Sequence, residues 1–321
     1  MNNFKKIGMT ALAASLVSTS VFAGELTASG SASITVEGYS GVGLQSDTSY
    51  SMSDSVILGG STELDNGLTI TMAFELDGDA EATSSTSAYD DNSLTIASDS
   101  LGSLKFSAHG GSSASSALDG TAAGDMWDNF DTLVTGGSAT KAAGAGENSF
   151  FYTLPSMVDG LSVNASLNTA GTTGNSALGY SATYSGVEGL SVSYGIADIE
   201  TGATTTSGDQ TVMKASYAYG PVTLAYSSNE YDVDGTSNDQ DAESWNVSYT
   251  LTDSVSIGYG TETISTPTTS EVDAEYSGVN ASYTAGGMTV SAKMIDAENV
   301  AHGTGASEDG EYWSLGLSFA F

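Results

Sequence analysis

Apolar and small polar residues alternate along most of this chain with a period of two. The clearest example is 68–76, where Leu68, Ile70, Met72, Phe74 and Leu76 are separated by Thr69, Thr71, Ala73 and Glu75. This period is typical of a β-strand with one apolar face, because successive side chains of a strand point to opposite sides. It predicts sixteen strands, at 26–37, 52–63, 68–76, 92–98, 103–109, 148–154, 161–168, 176–184, 190–197, 210–219, 222–230, 242–251, 254–263, 272–284, 288–296 and 311–321.

The connections between these strands alternate in length. Short turns lie at 64–67, 99–102, 155–160, 185–189, 220–221, 252–253 and 285–287; long loops lie at 40–51, 77–91, 110–147, 169–175, 198–209, 231–241, 264–271 and 297–310. An up-and-down antiparallel barrel predicts this alternation, with its turns at one rim and its loops at the other, whereas a Greek-key β-sandwich does not require it. The turn at 64–67 also contains Asn66-Gly67, a hairpin signal. The even number of strands places both termini at the short-turn rim.

One strand and one loop depart from this regularity. At 272–284 the apolar residues change phase between Tyr276 and Val279, which predicts a β-bulge near Ser277 and Gly278. The loop at 110–147 interrupts the alternation for 38 residues. A loop of this length without secondary structure is uncommon in a compact domain and is usually functional. We therefore expect the barrel to be closed and this loop to fold into its lumen.

The two faces of the predicted strands differ in a way that indicates a membrane barrel. The polar face is mostly Ser, Thr, Gly and Asn, which suits a water-filled lumen. Aromatic residues lie on the apolar face near strand ends, as in the girdles at membrane interfaces: Tyr184, Tyr194, Tyr217, Tyr219, Tyr226, Trp245, Tyr249 and Tyr283. Only Phe151 and Tyr312 are clearly predicted to face inward. The alternative is the core of an ordinary β-sandwich.

Composition and the first residues locate the protein outside the cytoplasm. Residues 1–23 have the pattern of a signal peptide, with Lys5 and Lys6, an apolar segment at 7–17 and a cleavage site ending at Ala23. The mature barrel is then 24–321. The chain has a formal charge of −33, six lysines, no arginine and no cysteine. This charge argues against nucleic-acid binding, and the lack of cysteine excludes disulfides and thiolate chemistry.

The last strand carries a family resemblance. Trp313, Leu315, Leu317, Phe319 and the terminal Phe321 alternate with small residues, which resembles the C-terminal strand of bacterial outer-membrane barrels. The whole mature chain resembles the general porins of Gram-negative bacteria in its strand number, length and long third loop. That resemblance implies a passive, water-filled channel for small hydrophilic solutes and ions, and a homotrimer in the outer membrane among lipid and lipopolysaccharide. It also implies that the barrel-assembly machinery recognises Phe321 as an assembly signal.

The resemblance further implies that the third loop forms a constriction, with Trp127 and Phe130 as anchors against the wall. Its matching acidic positions are Asp119, Asp125, Asp128, Asp131 and Glu147. The alternative is an ordinary solvated acidic loop. The chain departs from the family in lacking the arginine cluster opposite this loop. Strand alternation places these charges on the lumen wall: Glu37, Glu63, Glu75, Lys105, Lys214 and Lys293. Since acidic residues outnumber lysines, we expect cation selectivity.

Other chemistry has little support in the sequence. The two histidines, His109 and His302, have no distinctive neighbours, so we do not expect an enzyme. The acidic loop with Asp232, Asp234, Asp239 and Asp241 is a weak Ca²⁺ candidate, since it lacks full EF-hand spacing; we expect no other cofactor. One alternative function is a substrate-specific channel, which needs an aromatic track along the lumen. The other is a secreted, Ca²⁺-stabilised structural or adhesive β-protein.

Overall fold

The computed structural model describes residues 25–41, 48–77, 90–130, 148–169, 175–201, 207–235, 239–266, 272–303 and 309–321. The predicted signal peptide lies outside the described residues, as do the predicted constriction residues Asp131 and Glu147 and the basic residue of the same loop, Lys141.

The described residues form a single closed antiparallel barrel of sixteen strands, which confirms the predicted fold. Each strand pairs with its neighbours in sequence, and β1 closes the barrel against β16. The strands are β1 Glu25–Gly41, β2 Thr48–Glu63, β3 Thr69–Asp77, β4 Asn92–Ser98, β5 Gly102–His109, β6 Ser149–Thr153, β7 Leu161–Thr169, β8 Asn175–Val187, β9 Leu190–Thr201, β10 Gly208–Tyr219, β11 Val222–Val233, β12 Gln240–Thr252, β13 Val255–Ser265, β14 Ala274–Ala285, β15 Met288–Glu298 and β16 Gly310–Ala320.

Among the described residues between β5 and β6 there are two short 3₁₀ helices, Ser116–Leu118 and Met126–Asn129. No helix among the described residues is long and apolar enough to cross a membrane. The predicted hairpin turn is present between β2 and β3. Gly67 has φ +79° and donates its backbone N–H to the carbonyl oxygen of Leu64 at 2.9 Å.

The two faces of the barrel wall have the predicted character. Trp245 is 60% exposed, whereas its neighbour Ser244 is 1% exposed. The predicted outer aromatics Tyr194, Tyr217, Tyr219, Tyr249 and Tyr283 are likewise exposed. On the opposite face, hydroxyl groups of adjacent strands hydrogen-bond to one another, as in the pairs Thr183–Ser193 and Ser256–Ser282 at 2.9 and 2.8 Å. The lumen wall is therefore polar over much of its surface, and the outer wall is apolar.

The predicted bulge near Ser277 and Gly278 is wrong. The pairing of β14 with β13 and β15 is continuous through both residues. Tyr276 points into the barrel and is buried, whereas Val279 points outward and is exposed, so the phase change in the sequence is a change of apolar face. The register shifts instead at Asn92/Ser93, Tyr184/Val187 and Thr250/Thr252.

The C-terminal residue takes part in barrel closure. Phe321 and Gly30 exchange two backbone hydrogen bonds of 2.8 and 2.9 Å. The ring of Phe321 lies over Gly30, where a Cβ atom would approach Cε2 of the ring to 2.6 Å. Glycine at this position therefore lets the ring of Phe321 approach β1 closely, and the ring remains 75% exposed on the outer face.

Candidate functional site

Residues 113–130 of the predicted loop lie along the lumen face of the barrel wall. The segment begins against β7 and β8, where the backbone N–H of Ala114 donates to Ser166 Oγ at 2.7 Å. It ends at Phe130, whose ring contacts Tyr276 on β14, Tyr312 on β16 and Tyr39 on β1. The segment thus follows the wall past β9–β13 between these two ends.

Serine hydroxyls of the wall accept hydrogen bonds from the backbone of this segment. Ala122 N–H donates to Ser227 Oγ at 2.8 Å, and Ala123 N–H donates to Ser244 Oγ at 2.9 Å. Both serines are buried. Buried N–H groups need such partners, because an unsatisfied donor costs about 1–3 kcal/mol. These small polar residues of the wall therefore hydrogen-bond to the backbone of the segment and not to its side chains.

Three glycines on the lumen face allow the segment to approach the wall closely. A Cβ atom on Gly195 of β9 would lie 3.2 Å from Leu118 Cδ1, and one on Gly179 of β8 would lie 3.3 Å from the backbone nitrogen of Ala114. On β13, a Cβ atom on Gly260 would lie 2.8 Å from the Cβ atom of Ala123. Larger residues at these positions would push the segment away from the wall.

A buried carboxylate on β13 holds the middle of the segment. Glu262 accepts hydrogen bonds from the hydroxyl of Thr121 at 2.6 Å and from the backbone N–H groups of Trp127 at 3.2 Å and Met126 at 3.3 Å. Its side chain is 1% exposed. The sequence pattern does not single out Glu262. Its one distinctive feature is its position between Gly260 and Ile264 on a face that elsewhere carries mainly Ser and Thr.

The end of the segment packs in an apolar core inside the barrel. Phe130 is fully buried, and its ring centroid lies 5.7 Å from that of Tyr276 and 6.2 Å from that of Tyr39. The residues of this core are Met126, Phe130, Ala242, Ile264, Ala274, Tyr276, Ile295, Ala297, Val300 and Tyr312, with Tyr39, Ala123 and Trp127 against them. The expectation that only Phe151 and Tyr312 face inward is therefore wrong, because the segment covers further aromatic residues on the lumen face.

The three described acidic residues of the segment have different surroundings. Asp119 is partly buried, and this burial together with the nearby Asp125 carboxylate raises its pKa to about 6, although Lys214 and backbone N–H groups act in the opposite direction. Asp125 has φ +51° and accepts the backbone N–H of Thr121 at 2.8 Å. Asp128 is exposed. Asp119 and Asp125 therefore lie close together, while Asp128 extends towards solvent.

All six predicted wall charges lie on the lumen face by strand alternation. Glu37 accepts hydrogen bonds from the hydroxyls of Tyr312 at 2.8 Å and Ser49 at 3.1 Å, and Glu75 accepts one from Ser55. Lys105, Lys214 and Lys293 each lie beside an exposed apolar residue that points outward, and Glu63 is on the same face of β2 as Ser61, whose hydroxyl lies 3.1 Å from that of Thr71. The lumen thus carries charges of both signs on widely separated strands.

The Ca²⁺ candidate stays a prediction. Asp239 uses Oδ1 to accept the backbone N–H of Val233 at 2.9 Å, which closes the loop after β11. Within the described ranges, no three His, Cys, Asp or Glu side chains are grouped so that they could hold a metal ion. His302 instead contacts the carbonyl oxygen of Val272 through Nδ1 at 3.0 Å, a contact between two loop segments.

The family model that describes Gram-negative porins matches residues 8–254. The chain belongs to the Gram-negative porin family. A triple mutant of Rhodopseudomonas blastica porin is 15% identical, with a TM-score of 0.66, and another mutant of the same porin is 16% identical, with a TM-score of 0.65. Both alignments cover 92% of this chain and 100% of the solved structure. No curated protein sequence matches the chain.

Family membership and the closed barrel establish an outer-membrane porin channel of a Gram-negative bacterium. The likeness to the R. blastica structures shows the sixteen-stranded fold alone, because the identity is low. Which solutes and ions pass through this porin depends on the residues of its own lumen.

Proposed function

We propose that this porin is a passive, cation-selective channel for small hydrophilic solutes, with the loop after β5 forming its narrowest part. The observation that carries the proposal is the course of residues 113–130 across the lumen face from β7 to β1. A chain segment held inside a barrel reduces the open cross-section there. We place the opening between this segment and the lumen face of β2–β6.

Charge supports the preference for cations. The segment contributes Asp119, Asp125 and Asp128, and the wall of β1–β3 contributes Glu37, Glu63 and Glu75. Against them stand Lys105, Lys214 and Lys293, and Lys214 lies close enough to Asp119 to lower its pKa. Field lines from one sign of charge are focused in a narrow pore with low-dielectric walls, which raises the local concentration of the opposite ion. The excess of carboxylates therefore favours cations.

Recording from purified protein in a planar bilayer with a salt gradient tests this proposal. We expect discrete conductance steps and a reversal potential of the sign given by cation flow, with the preference decreasing as salt concentration rises. Steady conductance with anion preference would contradict the cation-selective channel.

The aromatic residues inside the barrel do not favour the substrate-specific alternative. A track for a solute requires exposed ring faces, whereas Phe130, Tyr276 and Tyr312 are buried against one another. Their packing fixes the end of the segment to the wall. We therefore infer that these rings have a structural role and that the channel has no aromatic track along β12–β16.

We propose that the barrel-assembly machinery recognises the terminal strand through Phe321. Replacing Phe321 with Asp should leave secretion across the inner membrane unchanged and strongly reduce barrel assembly, because it removes the apolar ring at the end of β16. Tyr219→Asp is the matched control, since Tyr219 is an equally exposed outer aromatic at the end of β10. The amount of heat-modifiable barrel in purified outer membranes measures the effect. Equal assembly of the two variants would contradict recognition of Phe321.

We also propose a homotrimer embedded among lipopolysaccharide. The family supports this assembly, and Asp54 gives a reason for it in this chain. Asp54 lies on the outer side of β2 between Met52 and Val56, and opposite Ala32 of β1. A carboxylate that faces lipid is unfavourable, so we place a neighbouring subunit against this part of the wall. Electrophoresis of unheated protein extracted in mild detergent should show the trimer, and monomer alone would contradict it.

A further inference from the structure

The carboxylate of Glu262 collects three hydrogen-bond donors from the loop segment, whereas each wall serine described above accepts one. The donors are Thr121 Oγ1–H, Met126 N–H and Trp127 N–H. Glu262 therefore accepts more hydrogen bonds from residues 113–130 than any of these wall serines does.

The residues that donate to Glu262 form a turn with internal hydrogen bonds. Thr121 N–H donates to Asp125 Oδ1 at 2.8 Å, and Asp125 N–H donates to Thr121 Oγ1 at 2.8 Å. The hydroxyl of Thr121 can accept from Asp125 and donate to Glu262 at the same time, because a hydroxyl has one donor and two acceptor positions. Residues 121–127, called here the anchored turn, thus present their donors to Glu262 in a fixed arrangement.

The position of this attachment is important for the pore. The loop leaves the wall at the end of β5, whereas Glu262 lies on β13, eight strands further around the barrel. Between these points the described contacts are single hydrogen bonds to Ser166, Ser227 and Ser244, the charge interaction of Asp119 with Lys214, and the close approaches to glycines. If the anchored turn left Glu262, it would enter the space through which solute passes.

We propose that Glu262 is a positioning residue for solute passage, which sets the effective width of the pore by holding the anchored turn against β13. This inference rests on the proposed function, in which the same segment lines the narrowest part of the channel. Glu262 acts on solutes through the segment, since its own carboxylate is covered by Thr121, Met126 and Trp127.

Glu262→Gln tests the proposal. The amide is of similar size, but its NH₂ group is a donor placed against donors, so at least one hydrogen bond is lost. A buried N–H donor left without an acceptor, together with a new donor turned towards it, shifts an attached–detached equilibrium by about one to two orders of magnitude. We expect larger current fluctuations and an altered mean single-channel conductance in planar bilayers, with unchanged barrel content. Thr121→Val should give the same result from the other side of the contact, while Ser244→Ala, which removes a neutral acceptor, should have a smaller effect.

A reversible cross-link between the segment and the wall tests whether Glu262 acts by holding the segment in place. If Glu262 only stabilised the barrel, the cross-link would not restore the conductance. The chain has no cysteine, so Ala123→Cys with Gly260→Cys introduces a single pair. Their Cβ atoms would start 2.8 Å apart, and a disulfide needs about 3.5–4.5 Å, so a movement of about 1 Å accommodates the bond. In the Glu262→Gln background, oxidation should restore the quiet conductance that the same oxidised pair shows with Glu262 intact, and reduction should abolish it again.

The outcomes separate the inference from the function on which it depends. Quiet, wild-type conductance in both Glu262→Gln and Thr121→Val would overturn the role of Glu262. If the neutralised-loop variants described in the Discussion still change ion selectivity, the segment lines the pore and the proposed function stands. If those variants also leave selectivity unchanged, the segment does not line the pore and the proposed function fails. If Glu262→Gln does not assemble, the same cysteine pair is introduced with Thr121→Val, and the conductance of that variant before and after oxidation decides whether the contact positions the segment.

Discussion

Met72→Arg is expected to prevent the barrel from refolding into lipid vesicles, whereas Thr71→Arg should be tolerated. Met72 lies in the middle of the apolar face of β3 and is 54% exposed on the outer side. Thr71 points into the lumen, where its hydroxyl lies 3.1 Å from that of Ser61. An arginine near the bilayer midplane that faces lipid costs about 2–4 kcal/mol, and one that faces water in the lumen does not pay this cost.

Heat-modifiable electrophoretic mobility measures the folded fraction of each variant after refolding. Met72→Leu is the control for the loss of the native side chain, since it keeps an apolar residue of similar size. Met72 and Thr71 are adjacent on β3, so they lie at nearly the same depth in the membrane and pair with the same two strands. A difference between the two arginine variants therefore reports the face on which each residue lies. Equal tolerance of arginine at the two positions would show that the lipid and lumen faces have been assigned incorrectly.

The strands and their faces could be predicted because both depend on local information. In β3 the alternation of Leu, Ile, Met and Phe with Thr and Glu is complete within nine residues. A barrel that separates lipid from water imposes this period on every strand, and the alternating loop lengths then give the up-and-down order. The outer aromatics followed from the same alternation.

The interior of the barrel could not be predicted in the same way, because the contacts that shape it are distant in sequence. The apolar Tyr276 predicts a bulge only if the lumen is polar throughout. In the structure Tyr276 faces inward and is covered by Phe130, which lies almost 150 residues earlier in the chain. In the same way, Ser244 resembles every other lumen serine in the sequence, and only the fold brings Ala123 to it.

Neutralising acidic residues of the loop should reduce cation selectivity and leave the barrel intact. The most informative variant is the double substitution Asp119→Asn and Asp128→Asn. Asp125 is left unchanged, because it also accepts the backbone N–H of Thr121 and so helps to order the anchored turn. In water, a unit charge at 4–8 Å from a passing ion contributes about 0.5–1 kcal/mol, a factor of roughly 2–5 in local ion concentration. The permeability ratio of K⁺ to Cl⁻, obtained from reversal potentials at low salt, should therefore fall several-fold. Asp65→Asn, in the exposed turn between β2 and β3, is a control with the same chemistry outside the loop.

The pH dependence of selectivity provides a second, independent test of Asp119. Its pKa is raised to about 6, first by burial and then by Asp125, so it is ionised at pH 7.5 and mostly protonated at pH 5. Protonation removes a negative charge from the loop. The cation preference of the wild-type channel should therefore decrease as pH falls through about 6, and Asp119→Asn should lack this step while it shows the lower preference already at pH 7.5. A step of the same size in Asp119→Asn would assign the titration to another group. If the double variant has the selectivity of the wild-type channel at all pH values, residues 113–130 do not line the pore.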